Sequence, residues 1–169
     1  MKKVLLIAAL AVFGLSVAQA QEGFKVGATA ALPVGDADDF TTFGFGLDAS
    51  YLWEVGPGFL VGATAGYHHF FGDDIEEFGF TFEVDDFQFI PLAASARYYF
   101  TDDFFAGADL GYALGINDGN DGGFYYRPKI GYDLGPVAIH ASFAGVSADL
   151  DDGESIDFNY IGLGVEIGF

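Results

Sequence analysis

Apolar and polar residues alternate with a period of two along eight stretches of the chain, each bounded by residues that favour turns. Such alternation indicates β-strands, because successive side chains of a strand point to opposite faces of the sheet. No stretch beyond residue 20 sustains a helical period. We therefore predict eight strands, at about Phe24–Leu32, Thr42–Trp53, Gly58–His69, Phe87–Phe100, Phe104–Ile116, Gly123–Leu134, Val137–Val146 and Ile156–Phe169.

The connections between these strands alternate between short and long. Three are tight turns, at Gly56–Pro57, Thr101–Asp103 and Gly135–Pro136. The other four are longer, acidic and rich in glycine, at Pro33–Thr41, Phe70–Asp86, Asn117–Gly122 and Ser147–Ser155. Short turns at one end and long loops at the other are typical of an up-and-down barrel whose two ends face different surroundings.

Each predicted strand has one apolar face and one face of mostly small or polar residues. A water-soluble barrel such as a lipocalin would bury the apolar face and cover its outside with Lys, Glu and Thr, which are nearly absent here. The opposite arrangement, with the apolar faces towards lipid, explains the pattern better. The sequence thus predicts an all-β protein, an eight-stranded antiparallel up-and-down transmembrane β-barrel.

Aromatic residues near the strand ends agree with a membrane-spanning barrel, because such barrels carry aromatic girdles at both interfaces. We assign one girdle to the end with the short turns: Tyr51, Trp53, Phe59, Tyr98, Phe100, Phe104 and Phe169. The opposite girdle is predicted to contain Phe43, Tyr67, Phe70 and Phe124. The alternative is that these are ordinary core aromatics of a β-sandwich.

The first twenty residues have the features of a secretory signal peptide. Lys2 and Lys3 precede an apolar run from Val4 to Leu15, and Ala18-Gln-Ala20 matches a small-x-small cleavage site. A membrane anchor helix is the alternative, but the apolar run is shorter than the roughly 20 residues that cross a bilayer. We expect residues 1–20 to be the signal peptide and residues 21–169 to be the barrel domain.

Composition excludes several classes of function. The chain has no cysteine, which excludes disulfides, thiolate metal sites and cysteine nucleophiles. Without Lys2 and Lys3 the net charge changes from −19 to −21. Nucleic acid is therefore not an expected partner, since its phosphates would be repelled.

Charged residues of the strands fall on the face that we assign to the barrel interior. The inward set contains four basic side chains, four acidic ones and one histidine: Lys25, Asp48, Arg97, Asp109, Arg127, Lys129, Asp133, His140 and Glu166. Unpaired charge inside a narrow barrel is costly, so we predict a buried salt-bridge network. Strand counting favours Lys25 with Glu166, Asp109 near Arg97 or Lys129, and His140 near Asp133.

Eight strands enclose a lumen that is only wide enough for side chains, so we expect a closed barrel with a structural or surface-interaction role. A narrow porin is the alternative. A lipid A-modifying enzyme is a second alternative, because His68 and His69 lie near Asp73 and Asp74. No serine follows either histidine on that strand, and we expect no catalytic, cofactor or metal site. The acidic loops are expected to form a solvated rim that shares divalent ions with lipopolysaccharide.

Three stretches resemble the small outer-membrane β-barrels of Gram-negative bacteria, the OmpX/OmpA-barrel and "porin family" group: residues 89–100, 104–112 and 160–169. The resemblance implies a monomer in the cell outer membrane, surrounded by outer-membrane lipid and lipopolysaccharide. A last strand ending in Phe, here Phe169, resembles the signal read by the barrel-assembly machinery, with periplasmic chaperones holding the chain beforehand. Members share a scaffold rather than a reaction.

Overall fold

The computed structural model describes residues 22–73, 75–77, 80–82, 85–117, 120–149 and 155–169. The predicted signal peptide, residues 1–20, lies outside this part of the chain, as does Asp74. Among the described residues, no helix is long and apolar enough to cross a membrane.

The described residues form ten strands and one short 3₁₀ helix. Their bounds are β1 Gly23–Val34, the 3₁₀ helix Gly35–Asp39, β2 Thr41–Gly56, β3 Phe59–Gly72, β4 Ile75–Glu77, β5 Phe80–Phe82, β6 Phe87–Tyr99, β7 Phe104–Gly115, β8 Gly123–Asp133, β9 Val137–Asp149 and β10 Ser155–Gly168. Eight of these strands close into an antiparallel barrel, and β4 and β5 form a separate hairpin. The predicted eight-stranded barrel is confirmed.

The barrel closes between its first and last strands. The pairing of β1 with β10 runs from Lys25 opposite Gly168 to Val34 opposite Asn159. Beyond the last strand, the backbone N–H of Phe169 donates to the carbonyl of Phe24 at 2.8 Å. Closure satisfies the backbone groups of both edge strands, which is the condition for a sheet to lie in hydrocarbon.

The two ends of the barrel differ as the sequence predicts. The tight turns lie at one end, where Gly58 and Gly135 have φ of 67° and 93°, a conformation that favours glycine. The 3₁₀ helix and the β4–β5 hairpin lie at the other end. In outer-membrane barrels the short turns are periplasmic and the long loops extracellular, so we call these the periplasmic and outer ends.

The exterior of the barrel is apolar. Leu163, Ile130 and Leu110 are 68%, 64% and 53% exposed, and they alternate with inward residues along their strands. The predicted periplasmic girdle is present, since Tyr51, Trp53, Phe59, Tyr98, Phe100 and Phe104 are exposed and Phe169 is half-buried. An exposed apolar belt between aromatic girdles is the surface that a bilayer covers.

One member of the predicted outer girdle is corrected. Phe70 is fully buried and points into the lumen, because it lies two residues after the inward-facing His68 on the same strand. Phe43 and Phe124 are exposed as predicted. Tyr67 is half-buried, and its hydroxyl donates to Gln88 at 3.2 Å.

The lumen is filled in three layers. At the outer end lies an apolar layer that we call the outer plug, whose large members are Phe70, Phe89, Tyr125, Val146, Phe158 and Tyr160. At the periplasmic end lies the periplasmic plug, made of Leu52, Leu60, Tyr99, Phe105 and Ala138. The inward charged residues, among them Asp48, Asp109, Arg127 and Lys129, lie between the two plugs, while Asp133 lies level with the periplasmic plug, opposite Ala138.

Lysine placed in the lipid-facing belt should destabilise the barrel according to its depth. We expect Leu110→Lys, midway along β7, to reduce the free energy of unfolding by about 2–4 kcal/mol, and Phe100→Lys in the periplasmic girdle by about 0–1 kcal/mol. Guanidinium-induced unfolding from lipid vesicles measures both values. Equal and small losses at the two positions would contradict the assignment of this face to lipid.

Candidate functional site in the lumen

All nine residues of the predicted charge network face the lumen. Eight of them are buried, and the Asp48 side chain is 12% exposed. Their common orientation follows from the period of two along strands whose register is regular at these positions. The network brings together side chains from β1, β2, β6, β7, β8, β9 and β10.

Asp109 on β7 is the hub of the network and is completely buried. One of its oxygens accepts from Arg127 Nε at 2.8 Å and from Lys129 Nζ at 3.0 Å. The other accepts from the Ser95 hydroxyl at 2.6 Å, and Ser95 is in turn 2.6 Å from the Thr64 hydroxyl. Two cations and a hydroxyl thus compensate one carboxylate, as a buried charge requires.

Arg127 joins this hub to a second carboxylate. Its Nη1 donates to Asp48 Oδ2 at 2.7 Å. The other oxygen of Asp48 lies 3.1 Å from His68 Nε2, and His68 Nδ1 lies 2.8 Å from the hydroxyl of Tyr160. The hydrogen-bonded chain therefore extends from the hub to the underside of the outer plug.

Glu166 on β10 is held from the opposite wall of the barrel. Arg97 on β6 crosses the lumen, and its Nη2 donates to both carboxylate oxygens of Glu166, at 2.9 and 2.7 Å. The guanidinium carbon of Arg97 lies 4.1 Å above the ring centroid of Phe105 in the periplasmic plug. Lys129 Nζ, at 3.9 Å from Glu166, connects this pair to the Asp109 hub.

The observed pairs differ in part from those favoured by strand counting. Of the two partners considered for Asp109, Lys129 binds it, whereas Arg97 reaches across to Glu166. Lys25 is the next inward residue along β1 from Gly27, which is opposite Glu166, so the register keeps Lys25 and Glu166 as diagonal neighbours across the closing seam, as predicted. Strand counting finds neighbours along the wall, whereas an arginine is long enough to span an eight-stranded lumen.

The remaining two predicted members, Asp133 and His140, are not register partners of each other. Asp133 accepts from the Tyr99 hydroxyl at 2.6 Å. His140 is opposite Gly131 and Gly164, while Asp133 is opposite Ala138. His140 thus lies two residues further towards the outer end than the position level with Asp133.

Sequence reasoning left the polar partners Ser95, Tyr99, Tyr160 and His68 out of the charge network. All four lie on the inward faces that the period of two predicts, so continuing the alternation identifies them. His69 points the other way, 3.1 Å from Asp86 and 3.1 Å from the Tyr67 hydroxyl. The two histidines therefore lie on opposite sides of the wall and do not share a site. In the described part of the chain, no group of three or more His, Asp and Glu side chains has the arrangement of a metal site.

The two partners of the cross-lumen pair should be energetically coupled. We expect Arg97→Met to destabilise the barrel by about 3–5 kcal/mol, because it removes both hydrogen bonds that Arg97 donates to the buried Glu166 carboxylate. The double variant Arg97→Met/Glu166→Gln should lose less than the sum of the single losses, by about 0.5–3 kcal/mol. Equilibrium unfolding in vesicles gives the cycle, and additive losses would show that the pair is not coupled.

Comparison with known proteins identifies the fold. No protein-family model and no curated protein matches the sequence. Among solved structures, Ail of Yersinia pestis in a nanodisc has 16% identity and a TM-score of 0.55, over 86% of this chain and 99% of that chain. Neisserial surface protein A has 18% identity and a TM-score of 0.52, over 87% and 97%. A de novo designed transmembrane β-barrel has 10% identity and a TM-score of 0.54, over 89% and 98%.

Identities this low show a shared fold and leave activity open. The shared features are the closed ring of eight strands and the apolar exterior described above. The chain has the fold of the small eight-stranded β-barrels of the bacterial outer membrane.

Proposed function

We propose that the protein is a closed outer-membrane barrel that acts as a structural and surface-interaction protein through its acidic outer loops. The observation that carries this proposal is the filling of the lumen by a charge network between two apolar plugs. A solute that crossed the barrel would have to displace both plugs and separate hydrogen-bonded buried ions. A lumen that is filled in this way has no continuous water-filled path.

The distribution of charge supports a role at the cell surface. All four Lys and Arg residues beyond residue 20 are buried in the lumen, where four carboxylates balance them. No Lys or Arg side chain therefore remains for the outer surface, and residues 21–169 keep their net charge of −21 through acids elsewhere. Such a surface favours divalent cations, which lipopolysaccharide phosphates also bind, and positively charged partners.

The two alternative functions each meet a specific obstacle. For a narrow porin, the obstacle is the outer plug, where Phe70 lies 4.7 Å from Phe158 and 4.8 Å from Tyr160 between ring centroids. For a lipid A-modifying enzyme, it is the position of His68, which is 3% exposed and hydrogen-bonded below the same plug. We therefore favour a monomeric barrel that is neither a porin nor an enzyme.

Planar-bilayer recording tests the closed lumen directly. The purified protein should insert without producing stepwise conductance, whereas a porin in the same bilayer serves as the positive control. Reproducible steps from the wild-type protein, lost after heat denaturation, would favour the porin instead. Insertion itself is verified by the heat-modifiable migration of protein recovered from the membrane.

Biogenesis provides a second test, since we propose that Phe169 is read by the barrel-assembly machinery after periplasmic chaperones deliver the chain. Phe169→Ala keeps the backbone bond to Phe24 but removes the terminal ring. We expect this variant to accumulate as unassembled protein in the periplasm. Phe104→Ala removes an exposed aromatic ring from the same girdle and is the matched control. Equal yields of heat-modifiable barrel from both variants would contradict a signal at Phe169.

A further inference from the structure

A cleft of about 770 Å³ lies in the rim of the barrel at its outer end, above β8. The wall is lowest there because β8 begins at Gly123. On one side, β7 continues to Gly115, beyond the pair of Ala113 with Gly123. On the other side, β9 continues to Asp149, beyond the pair of Phe124 with Ser147. The volume lies within the range of roughly 300–1,000 Å³ that is typical of ligand sites.

Aromatic rings form the floor of this cleft. Phe158 packs 5.5 Å from Phe87 and 5.4 Å from Phe89, and Phe40 lies 5.9 Å from Phe87, all between ring centroids. Phe89 and Phe158 are buried in the outer plug, whereas Phe40 and Phe87 are half-buried and border the cleft. The floor therefore presents ring surface that is fixed by the strands β6 and β10.

Two carboxylates stand on the walls. Asp121 and Asp157 line the cleft and are exposed, and Asp157 accepts a hydrogen bond from Ser147. The loop that carries Asp121 is fixed by Asn120, whose side chain donates to the Gln88 carbonyl at 3.0 Å. Since every Lys and Arg beyond residue 20 is buried in the lumen, no basic side chain of this chain neutralises these carboxylates.

We infer that this cleft binds a free organic cation with an aromatic or apolar body. The body would lie on Phe87 and Phe158, and the cationic group would face Asp121 and Asp157. Aromatic faces attract organic cations, and the two carboxylates add selection by charge. An anionic amphiphile would meet both carboxylates without a compensating cation. The inference deepens the surface-interaction role proposed above and rests on it.

The cleft is accessible from the interface of the membrane as well as from solution. Its lining includes Tyr112 and Phe124, which are 47% and 53% exposed on the exterior of the wall, together with the inward-facing Phe158. It therefore connects the lumen mouth with the outer surface of the rim. An amphiphilic cation that concentrates at the interface would reach the cleft without crossing the plug.

Titration with benzyltrimethylammonium tests the inference. The protein is held in octyl glucoside, whose neutral headgroup does not compete for an ammonium site, and the amide resonances of Gly122 and Gly123 are followed by NMR. We expect saturable shifts. Asp121→Asn and Asp157→Asn should each weaken binding about two- to fivefold, and Phe87→Leu by a similar factor.

Asp36→Asn is the matched control, because it removes the same charge from an exposed position at the outer end that does not line the cleft. It should change the affinity by less than either cleft variant. Equal weakening by Asp36→Asn and Asp157→Asn would overturn the inference in favour of a diffuse charge effect. Absence of saturable shifts in the folded wild-type protein would overturn it as well.

Three further probes define the ligand class. Benzyl alcohol has the aromatic body without the charge, and equal binding of it would reduce the cleft to an apolar pocket and overturn the inference. Phenyl phosphate should not bind. Phosphocholine represents a lipid headgroup, and we expect it to bind several-fold more weakly because its phosphate faces the carboxylates; equal binding would point to lipid instead. The bilayer recording is independent of these titrations, so failure here leaves the closed lumen standing.

Discussion

The structure depends on the narrowness of an eight-stranded lumen. Such a barrel has room inside for side chains but not for bulk water, so each charged group that points inwards must be compensated by another strand. Asp109 therefore gathers Arg127, Lys129 and Ser95, and Glu166 is bound by Arg97 from across the barrel. The contact between Arg97 and Glu166 joins β6 to β10, which no backbone ladder connects, since the ladders join only adjacent strands.

Small residues on the inward faces make this filling possible. Large inward side chains lean over glycines that are their register partners on the next strand: Phe70 over Gly44, His68 over Gly46, Phe105 over Gly131 and His140 over Gly164. A Cβ at any of these glycines would collide with the neighbouring ring. Gly162 and Gly164 of the last strand thus leave space for side chains of β9, while Ile161, Leu163, Val165 and Ile167 of the same strand face lipid. The alternation of glycine and apolar residues along this strand therefore reflects packing, because each inward glycine leaves room for a side chain of the neighbouring strand.

Much of the fold was predictable from sequence because a period of two assigns a face to every residue at once. The eight strands, the apolar exterior and the inward position of all nine network residues follow from that period and need no knowledge of register. The pairing of charges was less predictable. Whether Arg97 binds Asp109 or Glu166 depends on the stagger of the strands and on the reach of a side chain across the lumen, and neither is encoded in a local pattern. Chain position alone places Phe70 in the girdle, whereas its alternation with His68 along β3 places it in the lumen.

The outer plug contributes to two surfaces, the top of the charged layer and the floor of the rim cleft, so a substitution in the plug can affect both. Its lower side touches the charged layer, where Tyr160 is hydrogen-bonded to His68, and its upper side is the floor of the rim cleft. Phe158 belongs to both surfaces, because it packs on Phe70 and Tyr160 below and on Phe87 above. A change at Phe158 would therefore disturb the closed lumen and the cleft together. Phe87, Asp121 and Asp157 lie only on the upper side, so they are the positions at which surface recognition can vary while the interior remains intact.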